Sequence, residues 1–350
     1  MPASKMAGKV QTVLGPIEPE ALGVTLTHEH LLIDFRPLFV EPLEASQKAL
    51  AHQPIALENL GWIKYNWDCN LDNLSLLDEQ TAIDEALLYR RAGGVSLVDA
   101  TNIGLGRDPL ALTHIARATG LNVIMGSGYY VEPFRPPAMD EKTEEEILEG
   151  IMQDITVGVD DTGVRAGIIG EIGCSWPLTE NERKSLRAAA RAQQQTGAPL
   201  LIHPGRNSTA PQEITEIIAE AGGDLRRTIM SHIDRTIFDF DTLRKLADTG
   251  CYIEYDLFGL ESTIYPLAPI DMPNDGKRID FIIRLIDEGY LDQVVLSHDI
   301  AFKFRLVKYG GHGYAHILQN VVPIMRRKGI EEEQIDAMLV ENPKRVLAFV

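Results

Sequence analysis

The residues Val24-Thr25-Leu26-Thr27-His28-Glu29-His30 form an extended run that ends in two histidines one residue apart. Side chains at positions i and i+2 of a β-strand share a face, so His28 and His30 project together while Glu29 points the other way. Two neighbouring imidazoles are suitable metal ligands, although a His-x-His pair alone is also typical of hydrogen-bonded core histidines. Its meaning depends on partners further along the chain.

From Glu79 onward, helical patterns alternate with short apolar runs. Asp108-Pro109 predicts the start of one helix, and Thr179 with Glu182 forms a capping box that starts another. Eight strands are predicted, at residues 24–30, 95–101, 122–126, 166–173, 199–203, 228–232, 252–256 and 294–299. Eight βα units of this kind predict an α/β fold, a (β/α)8 TIM barrel with its active site at the C-terminal ends of the strands.

Five of the eight predicted strands carry, at or near their C-terminal ends, the histidines and carboxylates that we take as candidate metal ligands. These residues are His28 with His30, Glu171, His203, His232 and Asp299. Burying so many ionisable groups together is costly unless they bind a common partner. Because imidazoles and carboxylates suit divalent transition ions, the pattern predicts a metal site at this end of the barrel.

Two segments stand outside the repeating units. Residues 8–24 predict an N-terminal hairpin, because an alternating run is followed by Gly15-Pro16. Residues 31–78 show no clear period, and a segment of that length predicts an insertion with short helices of its own. It either covers the functional face or is a structural flap elsewhere. We expect residues 1–350 to form one barrel domain with these two additions.

The 350-residue chain carries a formal net charge of -18. A field of that sign argues against nucleic acid and anionic membrane surfaces as partners. The N-terminus lacks the apolar region of a signal peptide, and the three cysteines, Cys69, Cys174 and Cys251, form neither a metal motif nor an even disulfide set. We therefore expect a cytoplasmic protein of the cytosol, with homo-oligomer formation left open.

Five motifs resemble the phosphotriesterase family of the amidohydrolase superfamily, and the resemblance runs over essentially the whole chain. They are Thr27-His28-Glu29-His30, Gly170-Glu171-Ile172-Gly173, Leu201-Ile202-His203-Pro204-Gly205-Arg206, Ser231-His232-Ile233-Asp234-Arg235 and Leu296-Ser297-His298-Asp299. The resemblance implies a binuclear metallohydrolase in which His28, His30 and Asp299 hold one ion and His203 and His232 the other. Glu171 would bridge them, at the position where many members carry a carboxylated lysine.

The expected cofactor is two divalent ions per chain, with zinc favoured and cobalt, manganese or nickel as alternatives. Such a pair can share a water, lower its pKa and direct the resulting bridging hydroxide at an electrophilic carbonyl or phosphoryl group. Asp299 would be both a ligand and the catalytic residue that passes the proton to the leaving group. The alternative is that Asp299 is only a ligand. His298, on the opposite side of the strand, is expected to have a supporting role.

Basic residues follow several of the ligands in this acidic chain. Guanidinium groups match carboxylate, sulfonate and phosphate oxygens, so these residues favour a small anionic acylated substrate. The alternative is that they pair with nearby carboxylates. The predicted substrate contacts are Arg206, Arg235, Arg305, Tyr129, Tyr130 and Asp256, with Lys303 as a further basic residue nearby.

Three functions follow from these observations. Resemblance to an animal branch with glutamate at the bridge implies cleavage of the amide bond of small N-acyl amino acids or N-acyl aminosulfonates such as N-acetyltaurine. The alternatives are esterase, lactonase or weak phosphotriesterase activity, and a metal-stabilised binding protein without turnover. All six metal positions are present, including Asp299, the candidate for proton transfer, and this favours an enzyme.

Overall fold

Eight parallel strands form the central sheet of the protein. The structure is a computed structural model that describes residues 6–262 and 265–350. In chain order the strands are β1 (Thr25–Glu29), β2 (Ser96–Asp99), β3 (Asn122–Ser127), β4 (Ile168–Gly173), β5 (Leu200–His203), β6 (Thr228–Met230), β7 (Tyr252–Tyr255) and β8 (Val294–Leu296). Each strand is hydrogen-bonded to its neighbours in that order, which confirms the predicted (β/α)8 fold.

The two end strands, β1 and β8, meet and close the barrel. The backbone N–H of Asp299, just beyond β8, donates to the carbonyl of His28 at 3.1 Å. The N–H of His28 in turn donates to the hydroxyl of Ser297 at 3.0 Å. Closure therefore places the first histidine motif beside the last predicted ligand.

Helices follow the strands around the outside of the barrel. Asp108 caps its helix by accepting the N–H of Ala111 at 3.0 Å, and Thr179 and Glu182 bond reciprocally, as predicted. None of the helices in the described ranges combines the length and apolar character needed to cross a bilayer. The α-helices after β1 and its insertion are Glu79–Arg91, Pro109–Thr119, Glu144–Thr156, Glu180–Thr196, Ala210–Glu220, Ile233–Thr236, Phe240–Ala247, Asp275–Asp287, Val322–Arg327, Glu332–Asp336 and Asn342–Leu347, with π-helical turns at Ile317–Val321 and Ala337–Glu341.

The barrel interior is filled by apolar side chains from its strands. Val98, Ile124, Leu201 and Ile229 belong to one fully buried cluster. Val10 of the N-terminal hairpin (Val10–Thr12 with Gly15–Ile17) and Leu347 near the C-terminus join the same cluster. These two segments cover one end of the barrel interior. A polar active site is therefore expected at the opposite end, where the strands end.

The segment between β1 and the helix Glu79–Arg91 lies over that opposite end. It contains helices Ala45–Ala51 and Leu57–Ile63 and a short antiparallel pair, Ile33–Asp34 with Ser75–Leu76. Its buried Trp67 packs against Tyr265 and Phe302, with ring centroids 5.2 and 5.4 Å away. The sequence left open whether this insertion covers the functional face or lies elsewhere. The structure supports the first interpretation.

Several strands end earlier than the sequence predicts, and for two of them the difference changes where a ligand lies. β6 ends at Met230 and β8 at Leu296, although both patterns continue to a ligand. His232 has a φ of 53° and Asp299 a φ of 50°. This left-handed backbone cannot continue a strand, and it costs a non-glycine residue of order 1 to 3 kcal/mol. The ligands therefore lie on sharp turns just beyond the strands.

Candidate metal centre and substrate cavity

The six predicted ligands meet at one point. The carboxylate of Glu171, one of the six, lies between the four histidines. Its Oε1 is 3.5 Å from Nε2 of His28 and 3.2 Å from Nε2 of His30. Its Oε2 is 2.8 Å from Nδ1 of His203 and 3.6 Å from Nε2 of His232. One oxygen thus faces each pair of histidines, which is the arrangement a bridging ligand needs.

Asp299 completes the group on the side of the first histidine pair. Its Oδ1 lies 3.2 Å from Nε2 of His30 and 3.8 Å from Nε2 of His28. The side chain is 19% exposed, whereas those of both histidines are fully buried. Asp299 can therefore touch both a bound ion and a molecule in the cavity above it.

Two imidazole nitrogens at the centre are free to bind a metal. Nε2 of His28 and Nε2 of His30 have no hydrogen-bond partner among the described residues, although carboxylate oxygens lie nearby. Thr101 donates its hydroxyl proton to Leu32, so it accepts from Nδ1–H of His30 at 2.9 Å. The lone pair of His30 is consequently on Nε2 and points to the centre. The donor set fits a divalent cation.

Asp256 orients two of the histidines from below. One oxygen accepts from Nδ1 of His28 at 2.9 Å and the other from Nδ1 of His232 at 2.9 Å. Carboxylates behind metal-binding histidines fix the ring and the tautomer in this way. Glu254 sits beside it and accepts from the hydroxyls of Thr27 and Ser231 at 2.5 and 2.7 Å.

The electrostatics of the centre favour ionised carboxylates. Burial alone would raise the pKa of Glu171, but the charge of His28 and the hydrogen bond from His203 hold it well below its usual range. Burial likewise opposes a charge on His30, yet the nearby carboxylates of Asp299 and Glu171 raise its pKa to about 9. Burial and the nearby His232 lower the pKa of His203. In the absence of metal, therefore, protons on histidine balance a negative site.

A cavity of about 260 Å³ opens above the centre. His203, His232 and Asp299 form part of its floor. One side is aromatic, because Phe35 lies against Phe134 and Phe302 with ring centroids 5.2 and 5.5 Å apart. The basic part of the lining consists of Arg206 and Arg235, with Tyr265 next to Arg206. A larger cleft of about 580 Å³ lies elsewhere, beside Trp176 and Ile237, and includes none of the six ligands.

Three of the six predicted substrate contacts line this cavity: Tyr130, Arg206 and Arg235. The hydroxyl of Tyr130 lies 3.1 Å from Nδ1 of His203, at the edge of the centre. Arg206 is partly exposed to the cavity. Arg235 is only 1% exposed, and its Nη2 bonds Nε2 of His203 at 3.1 Å and the carbonyl of Pro204 at 3.2 Å.

The other three predicted contacts lie outside the cavity, which corrects the sequence-based assignment. Tyr129 is buried away from the cavity lining, with Lys142 5.9 Å from its ring centroid. Asp256 lies beneath the histidines, where its oxygens are used. Arg305 is behind the floor, bonded to the carbonyls of His298 at 2.7 Å and Phe258 at 2.8 Å. Lys303 pairs with Asp72 at 2.5 Å.

Sequence reasoning did not identify several residues that shape the cavity. Tyr265 comes from the loop after β7, and Phe35 and Phe302 come from loops beyond β1 and β8. None of these loops has a periodic pattern that would show where a side chain points. The chain position of Phe302, three residues beyond Asp299, is the one signal that could have been used.

Known proteins are similar to this chain in both sequence and fold. A profile of the phosphotriesterase family matches residues 8–347. An N-acetyltaurine hydrolase of Bos taurus is 49% identical over 348 residues, 99% of either chain. A resiniferatoxin-binding protein of Rhodobacter sphaeroides has a TM-score of 0.94 and 38% identity, covering 97% of this chain and 95% of its own. A phosphotriesterase homology protein of Escherichia coli, crystallised with phosphate in its active site, has a TM-score of 0.75 and 30% identity, covering 93% and 99%. The chain therefore belongs to the phosphotriesterase family of hydrolases.

Proposed function

We propose that this protein hydrolyses the amide bond of small N-acyl amino acids or N-acyl aminosulfonates, with N-acetyltaurine as the representative substrate. The observation that carries the reaction type is the carboxylate of Glu171, which offers one oxygen to each histidine pair. The full-length relatives named for N-acetyltaurine support the choice of substrate. We further propose that the protein binds two zinc ions and that it is located in the cytosol.

The six ligands would hold the ions as two groups joined by Glu171. Bound divalent ions supply Lewis acidity and a water that is acidic enough to react at neutral pH. Asp299 faces the cavity, and its pKa is lowered because histidine contacts outweigh its burial. Its carboxylate therefore accepts the proton of the attacking water and returns it to the departing amine nitrogen. Asp256 and Thr101 keep the histidine rings in place meanwhile.

The basic side of the cavity supports an anionic substrate. Among the described residues, no carboxylate lies within ion-pair distance of Arg206 or Arg235, whereas the buried Arg278 pairs with Asp234 at 2.7 Å. A buried guanidinium without a counter-charge is costly, and a substrate acid group would provide that charge.

Hydrolysis of a lactone or another ester is the second candidate. It is favoured by the aromatic side of the cavity, because Phe35, Phe134 and Phe302 suit an apolar ring. Ester and amide cleavage would use the same centre, so only turnover separates them.

The test is a turnover panel on metal-loaded protein. N-acetyltaurine, N-acetyl-β-alanine, a lactone and a phosphotriester are compared, and metal per chain is measured by elemental analysis. We expect the acidic amides to be the best substrates and the protein to hold close to two ions. His232→Asn should lower both metal content and turnover, while His114→Asn, a change at a half-exposed histidine paired with Glu79, should alter neither. Full activity in protein without bound metal would refute the site.

A further inference from the structure

The guanidinium of Arg206 is held in place while most of its donors stay open. Its Nε donates to the hydroxyl of Tyr265 at 3.3 Å, and its central carbon lies 5.4 Å from the centre of the Tyr265 ring. No other hydrogen bond of Arg206 is formed within residues 6–262 and 265–350. Both terminal nitrogens are therefore available to a molecule in the cavity that Arg206 lines.

Tyr265 adds a further open donor. Its oxygen accepts from Arg206, so its own proton remains to be donated, and no acceptor for it lies within the described part of the chain. The ring is 7% exposed and stands edge-on to Trp67, with centroids 5.2 Å apart. This packing fixes the hydroxyl beside the guanidinium.

Arg235 is in a different situation, although it lines the same cavity. Its Nη2 is occupied by His203 and Pro204, and its Nη1 points to the hydroxyl of Thr236 at 3.4 Å. It contributes positive charge to this side of the cavity. Its hydrogen bonds serve the metal-binding histidine, so Arg235 is a positioning residue.

We propose that Arg206 and Tyr265 form the anion subsite of the enzyme, and that they select substrates by the acid group on the amine side of the amide. The proposal deepens the function proposed above and rests on it. The two side chains together present N–H and O–H donors to one anion, a carboxylate or a sulfonate. The acyl group then lies towards the aromatic side, over Phe35 and Phe302.

The experiment compares an anionic substrate with a neutral one of similar length. Arg206→Gln and Tyr265→Phe are assayed on N-acetyltaurine and on N-acetylethanolamine, and metal content is measured for each. With N-acetyltaurine we expect kcat/KM to fall about tenfold to a hundredfold for Arg206→Gln, mainly through KM, since charge-assisted bonds are lost. For Tyr265→Phe the fall is about fivefold to tenfold. Rates on N-acetylethanolamine stay within about twofold of the wild type, because that substrate never engages the subsite.

Matched controls come from surface residues of the same types. Arg226→Gln removes an 81% exposed guanidinium that pairs with Asp224, and Tyr290→Phe removes a hydroxyl that donates to Asp248 at 2.6 Å. Both should behave as wild type on both substrates. Equal losses on the two substrates in Arg206→Gln, or no loss on either, would overturn the proposal.

A binding measurement separates this proposal from the proposed function. Ethanesulfonate is titrated calorimetrically into metal-loaded wild type and into Arg206→Gln. We expect the variant to bind it at least about tenfold more weakly. If the wild type binds ethanesulfonate through Arg206 but cleaves no acidic amide, the reaction assignment fails and the subsite stands. If the wild type cleaves N-acetyltaurine while the two proteins bind ethanesulfonate equally, the subsite fails and the reaction assignment stands.

Discussion

Glu29 binds His298 at two points: its Oε1 accepts the backbone N–H at 2.8 Å and the ring Nδ1–H at 2.7 Å. Its Oε2 accepts the N–H of Ile300 at 3.1 Å. Asp299 therefore sits between two residues anchored by the central glutamate of the first histidine motif. Glu29, which points away from the centre, therefore fixes the segment that carries the Asp299 carboxylate.

Glu29→Gln should loosen that anchor. The amide nitrogen of glutamine cannot accept from an N–H, so at least one bond to the Asp299 segment is lost. We expect kcat to fall about tenfold and the free energy of unfolding to drop by about 1 to 3 kcal/mol, measured by steady-state kinetics and urea titration. The exposed Glu333→Gln is the control. A variant with the kcat of the wild type would show that Asp299 does not depend on Glu29.

Asp256→Asn should weaken metal binding. An asparagine has one carbonyl oxygen, so it can accept from His28 or from His232, but its NH₂ group faces the other ring N–H. We expect metal affinity to fall about 10-fold to 100-fold, measured by competition with a chelator. Asp292→Asn, at an 82% exposed side chain, should leave affinity unchanged. Unchanged affinity in Asp256→Asn would mean that other contacts set the two rings.

Arg235→Ala should damage anionic and neutral substrates together. The change removes the bond to His203 and leaves a void in a fully buried site, so the metal side of the cavity is disturbed. We expect kcat/KM to fall by similar factors, at least about tenfold, on N-acetyltaurine and N-acetylethanolamine. A loss restricted to the anionic substrate would instead make Arg235 a direct reader of the acid group.

Metal-free protein should lose stability as the pH rises. His30 and His232 have pKa values raised from 6.5 to about 9, so their protonation stabilises the fold below pH 6.5 and this contribution disappears as the pH passes 9. Urea titrations of chelator-treated protein at pH 6 and pH 9 test this. Metal-loaded protein should lack the decline over this range, because its histidines are neutral ligands. Equal stability of the metal-free protein at both pH values would contradict the site electrostatics.

Phe302→Leu should shift acyl preference towards longer chains. Phe302 packs between Phe35 and Trp67 on the aromatic side, and leucine leaves more room there. Each buried methylene is worth about 0.8 kcal/mol, so the ratio of N-butyryltaurine to N-acetyltaurine turnover should rise several-fold. The ratio is measured by competition between the two substrates. An unchanged ratio would place the acyl group elsewhere.

The barrel and the meeting of its ligands were predictable because both follow from repetition. Helix caps at Asp108 and Thr179 and apolar strands between them define βα units, and parallel strand ends must meet. A histidine or carboxylate at such an end, as at His203, is therefore placed by topology. This holds without any knowledge of the loops.

The substrate side was only partly predictable, because loops decide it. Asp256 ends a strand as the ligands do, but its carboxylate lies beneath the rings and supports them. Arg305 is near Asp299 in sequence, yet it bonds backbone carbonyls behind the floor. Tyr265 lies in a loop with no period, and its contact with Arg206 joins residues 59 positions apart. Such pairings depend on loop paths that composition does not encode.

The left-handed backbone at His232 and Asp299 has a consequence for laboratory evolution. Glycine adopts that conformation without the steric cost that histidine and aspartate meet, so replacing either residue by glycine relieves backbone strain. A screen that rewards only heat resistance or expression would favour such replacements and enrich variants that have lost a ligand. Selection of robust variants of this enzyme must therefore include turnover or metal content at every round.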